Sequence, residues 1–346
     1  MKASVFHGLR DIRVESVPDP VIQLPTDAIV RVRRATVCGS DLWFYRGLWD
    51  WKPGYRTGHE FLGVVEAVGS EVGSFAPGQL VLSPFTYSDG VCEFCTAGLP
   101  TSCIRGGTFG GAGDDGGQGQ FVRVPLAETT LVALPDGIGD DPQRLAAASL
   151  LADVVPTGHH AAVSAGVASG STAVVIGDGA VGLCAVIAAR RLGATRIIAI
   201  GHHPDRLGVA RTFGATDVVD QPEEEAGKHV REITGGGAPH VLEAVGTQAS
   251  MDLAFASVRD GGRIGFVSVP SAVKRLAVDQ MFSRNITVAG GMAPARAYQP
   301  ALLRGLMAGE FDPTPLLTMR VPLEGVPDGY AAMDRREAIK VLVEVT

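Results

Sequence analysis

The chain has 346 residues, 46% of them hydrophobic, and 37 acidic against 30 basic side chains give a net charge of −7. That length and apolar content suit two packed domains, and an acidic chain without a basic stripe argues against nucleic acid as a partner. No window is apolar enough for a membrane span, Met1–Gly8 has no apolar signal stretch, and five cysteines, an odd count, favour a reducing, cytoplasmic setting over a disulfide framework.

Residues 1 to about 155 read as β-rich, with strands such as Ala28–Val37 and Leu62–Val68 between Gly/Pro turns. Three segments there carry metal donors: Cys38-Gly39-Ser40-Asp41, Gly58-His59-Glu60, and Asp153, just before Pro156-Thr157-Gly158. A thiolate, an imidazole and a carboxylate with a fourth position open make a Lewis-acid site rather than a closed structural one. Each segment alone has a plain alternative: Cys38 as a small core residue, His59-Glu60 as a surface pair, Asp153 as a helix-start residue. A second group is Asp89-Gly90-Val91-Cys92-Glu93-Phe94-Cys95, followed by Cys103. The polar, glycine-rich stretch Gly106–Gly119 reads as a mobile surface loop.

From about 156 to 295, strands near 172–176, 196–200, 217–219, 240–245, 263–267 and 286–289 alternate with helical stretches. This alternation specifies an α/β fold with a doubly wound parallel sheet. After the first of these strands comes Gly177-Asp178-Gly179-Ala180-Val181-Gly182, and an Ala-rich helix follows. Between strand and helix this is the dinucleotide turn: Gly177 for the tight bend, Gly179 for close approach of the pyrophosphate, Gly182 for helix–strand packing, with the phosphates at the helix N-terminus from Ala180. Cys184, inside that helix, reads as a packed small residue. The tail from about 296 to 346 holds a helix over Ala301–Gly309 and a terminal strand, Lys340–Val345.

A zinc-type donor set followed by a dinucleotide turn resembles the zinc-dependent alcohol dehydrogenases of the medium-chain dehydrogenase/reductase family, over essentially the whole chain. The resemblance implies a β-rich GroES-like catalytic domain (1–155 and 296–346) and a Rossmann coenzyme domain (156–295). It implies catalytic zinc on Cys38, His59 and Asp153, with Glu60 as a movable neighbour and Asp41 holding the other ring nitrogen of His59. It makes Ser40 the first proton acceptor; a helix-capping hydroxyl is the alternative. The family's relay usually ends at a histidine three residues further on, where this chain has Trp43. Cys92, Cys95 and Cys103 match three places of a structural-zinc lobe whose first place, a cysteine in the family, is Asp89 here. A Cys3Asp site is chemically reasonable, and a metal-free Asp-Gly turn is the other reading. Two zinc ions per subunit are expected.

By the same resemblance Thr157 and Val181 pack on the nicotinamide, Val267 and Val269 meet its carboxamide, and Lys340 reaches the coenzyme phosphates. Phe85, Trp49, Trp51 and Phe109 are candidates for an apolar substrate wall, which favours a secondary alcohol or ketone over a free sugar. The strand before Gly201-His202-His203-Pro204-Asp205-Arg206 ends without the acid that NAD-specific folds place there. Gly201 would leave room for a 2′-phosphate, and His202, His203 and Arg206 would supply donors, so NADP is the preferred coenzyme and NAD the alternative, with Asp205 a possible ribose ligand. Other readings are an NAD-dependent polyol or amino-alcohol dehydrogenase, a zinc-free quinone or enone reductase, and a non-enzymatic binding protein. Relatives of this length imply a homo-oligomer, dimer or tetramer.

Overall fold

The computed structural model describes residues 1–111 and 115–345, and the chain divides into two compact units, 1–153 with 294–346, and 154–293. In the first, β1 (Lys2–Gly8) and β2 (Asp11–Ser16) form a hairpin. Then come β3 (Ala28–Val37), α1 (Asp41–Tyr45), β4 (Phe61–Val68), β5 (Leu80–Leu82), β6 (Thr86–Tyr87), α2 (Glu93–Thr96), β7 (Gly107–Thr108), β8 (Phe121–Val124), α3 (Ala127–Thr130), β9 (Val132–Ala133) and α4 (Pro142–Ser149). Asp141 caps α4 by accepting the backbone N–H groups of Gln143 and Arg144, with Pro142 in the first turn.

The second unit runs α5 (Val154–Ser164), β10 (Thr172–Ile176), α6 (Ala180–Arg191), β11 (Arg196–Ile200), α7 (Pro204–Phe213), β12 (Asp217–Val219), α8 (Glu223–Thr234), β13 (Ala238–Glu243), α9 (Gln248–Ser257), β14 (Val258–Phe266), α10 (Val278–Arg284) and β15 (Thr287–Gly290). Its sheet is parallel throughout, in the order β12-β11-β10-β13-β14-β15. The central strands β10 and β11 are buried runs of Val, Ile and Ala, as strands covered on both faces must be. The strand order reverses at β10, so the crevice beyond the carboxyl ends of β10 and β13 is where such a sheet takes a ligand.

The chain then returns to the first unit through α11 (Ala295–Met307), β16 (Leu317–Pro322), α12 (Val326–Asp334) and β17 (Lys340–Glu344). β17 pairs antiparallel with β3 and parallel with β16, so the sheet reads β16-β17-β3-β4-β5-β9, with β8 also on β3. Two expectations from sequence are corrected. The tail helix starts at Ala295, ahead of Pro300: burial of Ala295 and Gln299, whose amide donates to the Leu151 carbonyl (3.0 Å), holds a turn that proline would otherwise discourage. The glycine-rich stretch is exposed at Gly106 and Thr108 but buried over 109–111 and 116–119, so it is not a surface loop there (112–114 lie outside the described residues). Gln118 is fully buried, and side chains at Gly116 and Gly117 would strike the Thr57 carbonyl and the Phe61 ring. Close approach, rather than mobility, requires glycine there.

Candidate active site

The pairing of β3 with β4 sets Ala35 opposite Phe61, and so brings Cys38, just past β3, beside His59 and Glu60 at the mouth of β4. Asp153 follows a short 3₁₀ turn, Leu150–Ala152. The Cys38 sulfur lies 3.4 Å from Asp153 Oδ2, and His59 Nε2 lies 3.4 Å from the same oxygen. Donor atoms of Cys38, His59, Glu60 and Asp153 all fall within 4.8 Å of one another. Behind them Asp41 Oδ1 is 3.3 Å from His59 Nδ1, and its Oδ2 accepts the Cys38 backbone N–H at 3.0 Å. That leaves Nε2 as the donor facing Cys38 and Asp153, with the ring orientation fixed from behind. Burial opposes a charge on His59, yet Asp41, the Cys38 sulfur and Asp153 outweigh it and hold the imidazole well above its ordinary value. So many acidic groups around one imidazole suit a dication, and the soft-and-hard donor mix suits zinc.

Ser40 begins α1, but its hydroxyl makes no capping bond; it donates to the Cys38 sulfur at 3.2 Å. Glu60 is buried against Thr36 and Lys340, whose ammonium lies 2.7 Å from Glu60 Oε1. Lys340 is therefore corrected: it is fully buried in the first unit as the partner of Glu60 and does not present its charge to a coenzyme phosphate. Burial alone would lower its amine, but Glu60, with Cys38 and Asp153, holds it above the ordinary lysine value.

In the second unit the glycine turn joins β10 to α6. Gly177 takes φ +114°, a side chain at Gly182 would stand 2.0 Å from the Gly177 carbonyl oxygen, and the space over Gly179 is open. Gly158 in α5 is closed by α6 at Cys184 and Ala185, which accounts for a small buried residue at Cys184. Val267 and Val269 follow β14; Val267 N–H donates to the Glu243 carbonyl. The Glu243 carboxylate, fully buried, accepts the N–H groups of Val245 and Gly246 and the Ser268 hydroxyl, and so ties the loops after β13 and β14. The room expected over Gly201 is absent: a side chain there would stand 2.6 Å from the Asp178 carboxylate.

Residues 24–136 match the alcohol dehydrogenase GroES-like domain, and residues 180–306 match the zinc-binding dehydrogenase family. Zinc-type alcohol dehydrogenase B of Aspergillus flavus is 34% identical over 99% of this chain and 81% of its own, and sorbitol dehydrogenase of Bacillus subtilis is 31% identical over 99% and 97%. The solved alcohol dehydrogenase of Thermus sp. ATN1 superposes with a TM-score of 0.92 over the full length of both chains, at 36% identity. The chain belongs to the zinc-dependent alcohol dehydrogenases of the medium-chain family.

The enzyme's second donor group lies between β6 and β7. Donor atoms of Asp89, Cys92, Cys95 and Cys103 lie within 4.8 Å of one another. Asp89 Oδ1 accepts the N–H groups of Val91 and Cys92, both at 2.9 Å, Oδ2 accepts Arg105 Nε at 2.9 Å, and Asp89 N–H donates to the Cys103 sulfur. Those backbone donors, then the guanidinium, hold the Asp89 carboxyl well below the usual carboxylate range. Cys95 is pushed up to about 12 by burial and by the neighbouring Cys92 and Cys103 sulfurs, the crowding a bound cation would relieve.

The aromatic candidates separate. Phe85 stands edge-on to His59, ring centres 6.3 Å apart, and Trp49 stacks on Trp43. Phe109 is corrected: it is fully buried against Phe61 and Tyr87, a core residue. Trp51 likewise stacks on Phe44 at 4.6 Å against that core rather than forming a substrate wall. Sequence reading also passed over Tyr330 and Gln118. The Tyr330 hydroxyl lies 3.0 Å from Gln118 Oε1 and 3.3 Å from Asp41 Oδ2, bracing the carboxylate behind His59. Neither residue stands in a local motif, so only the tertiary pairing reveals them.

Proposed function

We propose that the enzyme oxidises small secondary alcohols to ketones, reversibly, with a nicotinamide dinucleotide as hydride acceptor. The observation that carries this reading is the convergence of Cys38, His59 and Asp153 with the Ser40 hydroxyl on the Cys38 sulfur. Cys38, His59 and Asp153 would hold zinc, which when bound acts as a Lewis acid that makes an alcohol hydroxyl acidic enough to ionise near neutral pH. Asp41 fixes the His59 tautomer, and Ser40 takes the hydroxyl proton. Trp43, three residues on, has no acceptor nitrogen, so beyond Ser40 the proton needs a water chain or another group to carry it. Phe85 beside His59 favours an apolar carbinol over a polyol, whose extra hydroxyls would need partners.

The test is an alcohol panel run with NAD and NADP on wild type and Ser40→Ala. Secondary alcohols should be preferred, and the variant should lose about 10²-fold or more in kcat, the scale of a positioned acid–base group. Undiminished hydride transfer in Ser40→Ala would remove that residue from the mechanism.

A second zinc on Asp89, Cys92, Cys95 and Cys103 completes the reading, supported by their convergence and by the backbone N–H groups aimed at Asp89 and Cys103. Metal analysis should give two zinc ions per wild-type subunit, and Asp89→Ala should lose one together with thermal stability. One zinc per wild-type subunit, with three titratable thiols in this segment, would count against the lobe. We also place the enzyme in the cytoplasm as a homo-oligomer. None of the five cysteines is in a disulfide, and no described helix is long and apolar enough to cross a membrane. Phe282 and Val278 stand 88% and 65% exposed on α10, which leads into the sheet-edge strand β15.

The glycine at the end of β11 on its own argues for NADP(H). Its surroundings argue otherwise, as follows.

A further inference from the structure

Gly201 directly follows the second strand of the coenzyme sheet, where NAD-selective folds carry the acid that binds the ribose hydroxyls. A 2′-phosphate in its place needs three things: room over that residue, N–H donors from the backbone just after it, and a nearby cation. In this enzyme one side chain, Asp178 from the glycine turn, occupies all three. Its side chain fills the volume over Gly201, with its own β-carbon and Oδ2 each 2.6 Å from where a β-carbon would stand. Oδ2 also accepts the backbone N–H groups of His202 (2.8 Å) and His203 (2.9 Å) and faces His203 Nδ1 at 2.8 Å, while Oδ1 turns toward Arg206 at 4.0 Å.

Gly201 is not a residue requiring left-handed φ, so close contact with Asp178 is the reason no side chain stands there. Burial disfavours charge on Asp178, but the His203 ring and the two N–H groups prevail and keep it anionic. Asp205, the other acid nearby, is exposed in the first turn of α7.

We propose that Asp178 is the coenzyme-selecting acid of this enzyme, transferred from the strand end to the glycine turn, and that it selects NAD(H) against NADP(H). Oδ1 accepts an adenosine-ribose hydroxyl, while the carboxylate repels a 2′-phosphate and withholds the N–H groups of His202 and His203 from it. His203, which in sequence looks like a phosphate ligand, instead holds this carboxylate in place, and Arg206 faces it at 4.0 Å.

The inference rests on the dinucleotide-dependent reading of the second unit but not on the alcohol or the zinc, so direct binding tests it. NADH and NADPH are titrated by their fluorescence into the full-length enzyme as wild type, Asp178→Asn and Asp178→Ser. Wild type should bind NADH about 100-fold more tightly than NADPH, the scale of a like-charge clash. Asp178→Asn keeps the shape and an acceptor oxygen and should cut that ratio about tenfold or more. Asp178→Ser frees the two N–H groups and the volume the carboxylate takes up, and should bring NADPH to parity or better. A wild type that binds NADPH as tightly as NADH, or an Asp178→Asn enzyme with an unchanged ratio, overturns the assignment. If neither coenzyme binds wild type, the dinucleotide reading fails with it. The asparagine variant is isosteric, so it reads the charge even if the serine variant does not fold.

Discussion

Alanine at Cys38, His59 or Asp153 is expected to lower alcohol oxidation by about 10³-fold or more while NADH binding persists. The size follows from what the cluster does. Polarising an alcohol oxygen is worth several kcal/mol of the barrier, and each ~1.4 kcal/mol is tenfold in rate. The three donors come from separate segments that meet only through the β3–β4 pairing and the turn at Leu150–Ala152, and the one further donor within 4.8 Å, Glu60, is tied to Lys340 and Thr36. The persistence of NADH binding follows from the glycine turn, which belongs to the other unit. Asp41→Ala, which spares the donors but releases the His59 ring, should cost about 10- to 100-fold in metal affinity. Zinc content, NADH titration and initial rates on the four variants check the series. Near-wild-type turnover in Cys38→Ala would overturn the mechanism.

Lys340→Met is expected to destabilise the first unit by about 3–5 kcal/mol, the cost of leaving one member of a buried ion pair alone. Both side chains are shut away from water, at 0% and 2% exposure, and once the ammonium is gone Glu60 is left with the Thr36 hydroxyl in place of a counter-charge. The same physics predicts that Glu60→Gln combined with Lys340→Met recovers most of the loss, because charge and counter-charge leave together. Denaturant unfolding followed by the tryptophans of this unit measures both. Equal stability of Lys340→Met and wild type would mean that the pair does not carry the load its burial implies.

How much of this was legible in the sequence depends on how local the signal is. Cys38, His59 and the glycine turn sit in short motifs whose geometry is set by adjacent strands: the β3–β4 pairing brings Cys38 and His59 together, and the glycine turn joins β10 to α6. The parallel sheet was equally legible, because its central strands β10 and β11 are apolar runs each followed by glycine. Lys340 was assigned to the wrong partner because its true one lies 280 residues away and is fixed only by the register of β17 on β3. Gly201 misled for a related reason: an absent side chain in sequence reads as space, and in three dimensions Asp178 had already taken it. Phe109 and Trp51 show that aromatic character near a site does not say which way a ring faces.

The pairing of β17 with β3 also bears on the order in which the protein is made. The coenzyme unit is one continuous stretch and has all its contacts when its own last strand is made. The first unit holds its metal donors early but waits for the final strand to close its sheet. Until then Glu60 stands beside the nascent cysteine and histidine without its counter-charge. The join spans nearly the whole chain, the kind of long-range contact that folds slowly. The half that would hold the dinucleotide therefore needs nothing made after residue 293, whereas the half that would hold zinc closes its sheet only with residues 340–344.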